Sequence, residues 1–535
     1  MVEPHSAPMR RRDLLRLIGV AAGSAAMYQA MSAMGLAAES PYKSPVDLSG
    51  APPGASVLIL GAGMAGMSAA YELRNAGYKV QVLEYNGRAG GRNWTLRGGD
   101  TYTELGGASQ RCEFDPGLYI NPGPWRIPYH HHGMMHYAKR LGVALEPFFQ
   151  VNYNAYLHSP DAFGGKPQRY REVKADYQGH VAELLAKATH QQALNDAVSK
   201  EDQERLLESL RAWGALDKNF QYAASDATSE RRGFAKNPGG GLSARPVASQ
   251  PVALSDLLKS GLWQGIPNGD IFDMQTALFQ PVGGMGRIGE AFGRELGELI
   301  QYNAKVVQVT QDAQGVTVTY VDSRTLKDHR TARADWCLCT IPLSILSQIP
   351  MNVGPALAAA IGAVPYASAI KVGLQFKRRF WEQDEHIFGG ITYTDLPITN
   401  IAYPNTGFLS GGKGVLLGAY IWGMNAMEFT AMSPPERVQR VLEYGSQIHP
   451  QYTKEFDNGV AVAWHRSPFT MGCFGMWNQD TRAAHYDNLC QIDGRIALAG
   501  EHASFLGGWQ EGAVTSSLDA VGRLHQRAVA QGARS

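Results

Sequence analysis

Residues 57–66 read VLILGAGMAG, an apolar run of strand length that enters a glycine loop. The helix-like segment MSAAYELRNAG follows, and KVQVLE at 79–84 reads as a second strand. This order predicts a β-α-β unit with a strand at 56–60 and a helix at 64–76. Gly61, Gly63 and Gly66 supply a GxGxxG pattern, with Ala65 in the same turn. The first glycine permits the tight turn, the second lets a pyrophosphate approach the backbone, and the third lets the helix pack close to the strand. The helix N-terminus then offers unpaired amides and a favourable dipole to an anion. Glu84 ends the second strand at the distance where a carboxylate accepts hydrogen bonds from ribose hydroxyls and repels a 2′-phosphate, which disfavours NADP. A second GxGxxG at 284–289, GMGRIG, follows a stretch broken by proline and glycine and has no acidic strand end behind it; it reads as a chance match.

The chain has 535 residues, enough for two or three packed units, and its net charge of +1 gives no reason to expect a nucleic-acid partner. Cys112, Cys337, Cys339, Cys473 and Cys490 form no CxxC pair. Cys337 and Cys339 are expected on one face of a strand as buried structural residues, and no metal site is expected. The run His130-His131-His132 resembles a metal tag, but its sequence neighbours supply neither acid nor cysteine. At the N-terminus RRRDLLR precedes a mild Ala/Gly-rich apolar stretch. It resembles a twin-arginine export signal, so residues 1–40 are expected to be a signal peptide and the protein periplasmic or secreted. No other stretch is long and apolar enough for a stable membrane span.

Helical spacing of Val181, Leu184, Leu185 and Ala188, and of Leu206, Leu207, Leu210 and Trp213, marks a helical insertion, with a helix start at Ser199 and Asp202. Residues 233–246 read as a loop, either a lid or a plain exposed segment. Strands are expected at 304–309, 315–321, 336–340, 370–376, 414–421 and 495–499, and a helix at the end. The order implies a nucleotide domain assembled from distant segments with a mixed-sheet domain inserted.

Three separated segments carry a resemblance. EYNGRAGGRNWT contains E-x-x-x-R-x-G-G-R through Arg88, Gly90, Gly91 and Arg92; residues 104–107 are ELGG; and RIALAGEHASFLGGWQEG lies near the far end. Together they resemble the flavin-dependent amine oxidase family. The resemblance implies an α/β fold with a Rossmann-like FAD-binding domain built from 41–110, 276–365 and 489–530. It also implies a mixed-sheet substrate domain from 111–170 and 366–488, and a helical domain at 171–275. It implies bound FAD, with cofactor contacts from Gly61, Gly63, Ala65, Gly66, Glu84, Arg88, Gly90, Gly91, Arg92, Gly106, Gly107, Val306, Gly500, Glu501, Gly508 and Trp509. The C-terminal motif has no cysteine where some members tether the flavin, so the FAD is expected to be noncovalent. Lys371, in the strand IKVGLQF, matches a lysine that holds a water beside the flavin.

NPGPWRIPYHHHGMMHYAKRLGV at 121–143 resembles the L-amino acid oxidase branch, in which the arginine matching Arg126 pairs with the substrate carboxylate. A guanidinium fork suits a carboxylate with two parallel bonds. Tyr420 and Trp509 match positions flanking the substrate, Gly508 would offer its carbonyl to the amine, and Trp422 and Phe474 would line the side-chain pocket. The implied reaction is oxidative deamination of an L-amino acid, with Lys371, Arg126, Tyr420 and Trp509 as the catalytic set and O₂ as acceptor. The aromatic pocket favours bulky side chains. An amine or polyamine oxidase would not need Arg126, and a decarboxylating monooxygenase would keep it. A noncatalytic FAD-binding protein would have no use for the set. A branch histidine in the helical insertion has no placed counterpart, with His180 and His190 as candidates. A homodimer is implied by the resemblance alone.

Overall fold

Strand Ser56–Leu60 lies between Lys79–Leu83 and Trp336–Cys339 and is parallel to both. With helices on its flanks, such a strand is covered on both faces, which is why its sequence is a continuous apolar run. Val57 and Ile59 enter one core with Trp336 and Leu338, while Leu58 and Leu60 enter another with Cys337, Cys339 and Val306. The two cysteines thus share a buried face, as expected. The computed structural model describes residues 39–194, 197–242 and 244–532, so the expected export signal lies almost wholly outside the described residues. The sheet is completed by Ile300–Gln301 on one edge and Ile496–Leu498 on the other. Its strands come from three distant stretches of sequence.

Helix Met64–Asn75 covers this sheet and packs against the last helix, Gln510–Gly532, where Ser517 Oγ donates to the Ala65 carbonyl at 2.6 Å. The helix can lie this close because Gly66 has no side chain. A Cβ there would sit 1.9 Å from the Gly61 carbonyl oxygen. The GMGRIG segment opens helix Gly286–Leu296 and packs on the same region. A Cβ at Gly289 would lie 2.8 Å from Gly90 Cα, and one at Gly284 would strike Thr95. Its glycines therefore serve close packing.

A seven-stranded mixed sheet forms the second layer system, ordered Gln168–Arg169, Tyr156–His158, Ile391–Thr394, Asn400–Ala402, Gly414–Trp422, Ala369–Phe376, Phe456–Ala463. Ala369–Phe376 is buried throughout and antiparallel to both neighbours, which sets Lys371 opposite Tyr420. One boundary differs from expectation. Leu278–Pro281 does not join the nucleotide sheet but pairs with Ile127–Pro128 and Leu145–Phe148.

The helical insertion comprises Tyr170–His190, Lys200–Gly214, Asp226–Arg232 and Leu254–Ser260. Ser199 caps the second by accepting from the Asp202 amide. Buried Asp176 ties the unit together, accepting from Arg232, the Tyr222 hydroxyl and the Val252 amide at 2.8 Å each. The Gly-rich loop has a clasped stem, with Ala235 N donating to the Val247 carbonyl at 2.9 Å; residue 243 within it lies outside the described residues.

ELGG departs from its expected role. Gly106 and Gly107 are exposed, with φ of 95° and 89°, in the turn between Thr101–Thr103 and Ser109–Arg111. They are there because the turn requires positive φ. The informative residue is Glu104, which receives the guanidinium of Arg437 through two charge-assisted bonds, both residues being almost fully buried. Removing one partner of such a pair strands the other charge. Arg437→Met is expected to destabilise the protein by about 3–5 kcal/mol, read as a lowered denaturation midpoint, whereas removing the exposed Arg205–Glu201 pair should be nearly silent.

Candidate active site

A cavity of about 250 Å³ runs from the glycine loop to the face of the mixed sheet. At one end Gly61, Gly63 and Ala65 line it with Glu84, Gly90, Gly91 and Arg92. The Glu84 carboxylate accepts from the amides of Ala62 at 2.6 Å and Asn86 at 2.7 Å, and from the Asn86 side chain at 2.6 Å. These bonds fix the acid beside the turn while burial pushes its pKa up. Helix Met64–Asn75 starts at Gly63 with no side-chain cap and no acid in its first turn, so its N-terminus is open to an anion. A Cβ on Gly63 would meet nothing within 4 Å. The room above that backbone is the cavity itself. Val306, Gly500 and Glu501 also line it, and Glu501 accepts from Arg92 at 2.9 Å and from the amides of Gly475 and Gly508 at 3.0 and 3.2 Å.

Four expected contacts lie elsewhere. Arg88 turns away and donates to the Gly91 carbonyl at 2.8 Å beneath the Trp94 ring, bracing the loop whose other side lines the cavity. Gly106 and Gly107 are in the exposed hairpin turn. Gly66 acts through helix packing only. Conversely, Tyr85 and Phe469 line the cavity as a stacked pair with centroids 4.5 Å apart, and Thr340, Trp477 and Arg482 line it too. Tyr85 and Asn86 adjoin Glu84 in sequence, which is the signal that could have found them; Phe469 and Arg482 come from distant segments with no motif.

At the other end Arg126, Tyr420, Trp422, Phe474, Gly508 and Trp509 come together, joined by Trp125. Trp125 stands beside Arg126 in the same motif. Arg126 is 4% exposed, lies 5.1 Å from the Trp125 ring and 5.5 Å from the Trp509 ring, and donates to Met274 Sδ at 2.8 Å. Asp273 stands nearby; burial raises its pKa to about 6, against the opposing pull of Arg126 and the Trp509 indole. Tyr420 and Trp422 have ring centroids 4.3 Å apart, and Trp422 and Phe474 are 5.7 Å apart. These rings form an apolar wall that strengthens any charge interaction inside it.

Lys371 is not in the cavity wall. Its ammonium donates to the Gly123 carbonyl and, at 3.3 Å, to that of Asn121, behind Trp125 and Tyr420 whose rings are 4.6 and 4.3 Å away. Burial lowers its pKa to about 7. His180 bonds the Val252 carbonyl at 2.7 Å and His190 packs on Phe220. Neither reaches the cavity, which the insertion lines only through Met274 among the described residues.

The chain matches the flavin-containing amine oxidoreductase family over residues 64–525. A putative L-amino-acid oxidase of Bacillus subtilis is 28% identical over 482 residues, covering 86% of this chain and 93% of that protein. An L-amino-acid oxidase of Vipera ammodytes ammodytes is 30% identical over 477 residues, covering 87% and 91%. Among solved structures, cyclohexylamine oxidase of Brevibacterium oxydans superposes with a TM-score of 0.58 at 17% identity, covering 89% of this chain and 99% of that one. A putrescine oxidase bound to putrescine does so with 0.56 at 17% identity, covering 90% and 100%. At those identities the superpositions speak to the fold, a mixed α/β architecture.

Three measurements check the site. Gly63→Val should fold but lose the yellow cofactor, because the side chain fills the cavity. Gly66→Ala should instead lower the melting temperature, because its Cβ collides with the Gly61 carbonyl, at about 1–3 kcal/mol. For Lys371 the folded pKa of about 7 lies below the ordinary 10.5. The unfolded chain then binds more protons between those values, so stability linked to this group rises with pH from about 7 and is flat below. Relative to Lys371→Met, wild type should gain stability over that range by up to about 1.4 kcal/mol per pH unit, measured as a difference in thermal midpoints.

Proposed function

This chain belongs to the flavin-containing amine oxidoreductase family, and from that premise we propose that it oxidatively deaminates L-amino acids with bulky side chains to 2-oxo acids, releasing ammonia and hydrogen peroxide. The protein is a flavoenzyme whose cofactor is FAD. The glycine cradle, the open helix N-terminus and the fixed Glu84 carboxylate suit that dinucleotide. The observation that carries the substrate reading is the buried guanidinium of Arg126 in the wall of the aromatic end of the cavity. Desolvating a guanidinium is costly, and a substrate carboxylate offsets that cost with two charge-assisted bonds.

When bound, FAD supplies the acceptor for the α-hydrogen and its electron pair. Arg126 fixes the carboxylate, while Tyr420, Trp422, Trp509 and Phe474 enclose the rest of the amino acid and exclude water. The amine is neutral as the hydrogen leaves, so a protonated substrate must first give up a proton. Holding donor and acceptor in line is the main contribution of these residues. The imino acid hydrolyses after release, and dioxygen takes the electrons away as peroxide. Lys371, behind the wall, acts through Gly123, Trp125 and Tyr420 as a positioning residue.

Noncovalent FAD binding is part of the proposal. It rests on the absence of cysteine from GEHASFLGGW, and on Cys473, whose thiol burial pushes up to about 11 in the cavity wall. Export through the twin-arginine pathway to the periplasm or medium rests on RRRDLLR, and a homodimer rests on resemblance alone.

Two charge-assisted bonds are worth about 1.5–3 kcal/mol each. Arg126→Ala should therefore lose about 10²–10⁴-fold in kcat/KM for L-amino acids while keeping its flavin. Peroxide release would be measured across L-amino acids, D-amino acids and simple amines. Turnover of amines without a carboxylate, or normal amino-acid turnover by the variant, would move the protein to the amine oxidases. An amide product in place of the 2-oxo acid would make it a decarboxylating monooxygenase.

A further inference from the structure

The His130-His131-His132 run lacks acids around it in sequence, but the fold brings one to it. Ile127–Pro128 pairs with Leu278–Phe279, and the Tyr129 amide donates to the Ala277 carbonyl at 3.0 Å. These contacts place the short helical turn Phe272–Met274 beside the histidines, with the His130 and Phe272 rings 4.4 Å apart. His130 and His131 are each 1% exposed and Asp273 is 2% exposed. One ligand atom from each lies within 4.8 Å of the others. His130 Nε2, His131 Nε2 and Asp273 Oδ1 are buried without hydrogen bonds. Buried polar atoms without hydrogen bonds on three neighbouring side chains are uncommon in folded proteins.

We propose that His130, His131 and Asp273 form a binding site for a divalent transition-metal ion of the Zn²⁺ class, adjoining the Arg126 end of the cavity. Zn²⁺ takes imidazole nitrogen and carboxylate oxygen at about 2.0–2.2 Å, so the edge of its tetrahedron is about 3.3–3.6 Å. His130 Nε2 and Asp273 Oδ1 are 3.4 Å apart, already at that separation. A bound cation would bridge the three side chains. The third member of the run, His132, is half-exposed and turned toward Glu39 at 3.9 Å, so it stands outside the cluster. The site reaches the substrate end through Trp509, whose ring is 5.0 Å from that of His131.

The test uses FAD-loaded protein stripped of metal by chelator, then equilibrated with Zn²⁺ or Co²⁺ and desalted. Retention of one ion per chain is expected, with tetrahedral ligand-field bands of Co²⁺ on the red side of the flavin absorption. Asp273→Asn should weaken binding about tenfold or more, and His130→Ala should do the same. His132→Ala should leave retention unchanged. Flavin content and melting temperature show whether each variant is folded; Asp273→Asn, which preserves shape, serves if His130→Ala is not. No retention by the wild type overturns the proposal, as does retention that survives Asp273→Asn and is lost in His132→Ala. Neither readout depends on turnover, so a failure here is distinct from a failure of the substrate assignment.

Discussion

The approach of helix Met64–Asn75 to the strand before it governs the rest of the molecule. It is possible only because residue 66 has no Cβ, which would sit 1.9 Å from a carbonyl oxygen. That contact sets the helix N-terminus over the sheet edge and opens the backbone at Gly63 to the cavity. It also lets Glu84 reach across and hold the turn through the Ala62 amide. The final helix rests on the same element through Ser517 and Ala65, so the two ends of the described chain are joined at the dinucleotide site. Strands from three distant stretches then have one sheet to join.

The mixed sheet meets this unit at the aromatic end of the cavity. Its strand Ala369–Phe376, one in from an edge, is buried over its whole length and carries one lysine. Burying an amine is tolerated here because two backbone carbonyls and two ring faces surround it, and its lowered pKa records the cost. Arg126 follows a related logic with a different outcome. It too lies among aromatic rings, but in the cavity wall, where a ligand can reach it. The two cations are separated by Trp125, one held behind the wall and one presented by it.

The Rossmann-like unit, the discontinuous sheet, the insertion helices and part of the cavity lining were legible because they rest on local rules. Glycine spacing, strand alternation and a serine cap act within a few residues, and a family resemblance adds the motif positions. The misplacements share a cause. ELGG was legible as glycines but not as a hairpin turn, because positive φ serves a turn as well as a phosphate. Arg88 lies in a correctly identified motif, yet which side of a loop an arginine faces depends on Trp94 and the Gly91 carbonyl. Leu278–Pro281 lies in a stretch broken by proline and glycine, and its strand partners are set by segments more than a hundred positions away.

By itself the sequence determined the dinucleotide turn, its acidic partner and the buried apolar strands, because each follows from backbone geometry and periodicity over a short span. Only the tertiary structure decided that Lys371 stands behind the wall rather than in it. It alone decided that Tyr85 and Phe469 stack on each other in the cavity wall, and that an aspartate from the end of the helical insertion lies against two buried histidines. Those are contacts between distant segments. Their geometry is fixed by how whole sheets and helices pack, which no local pattern encodes.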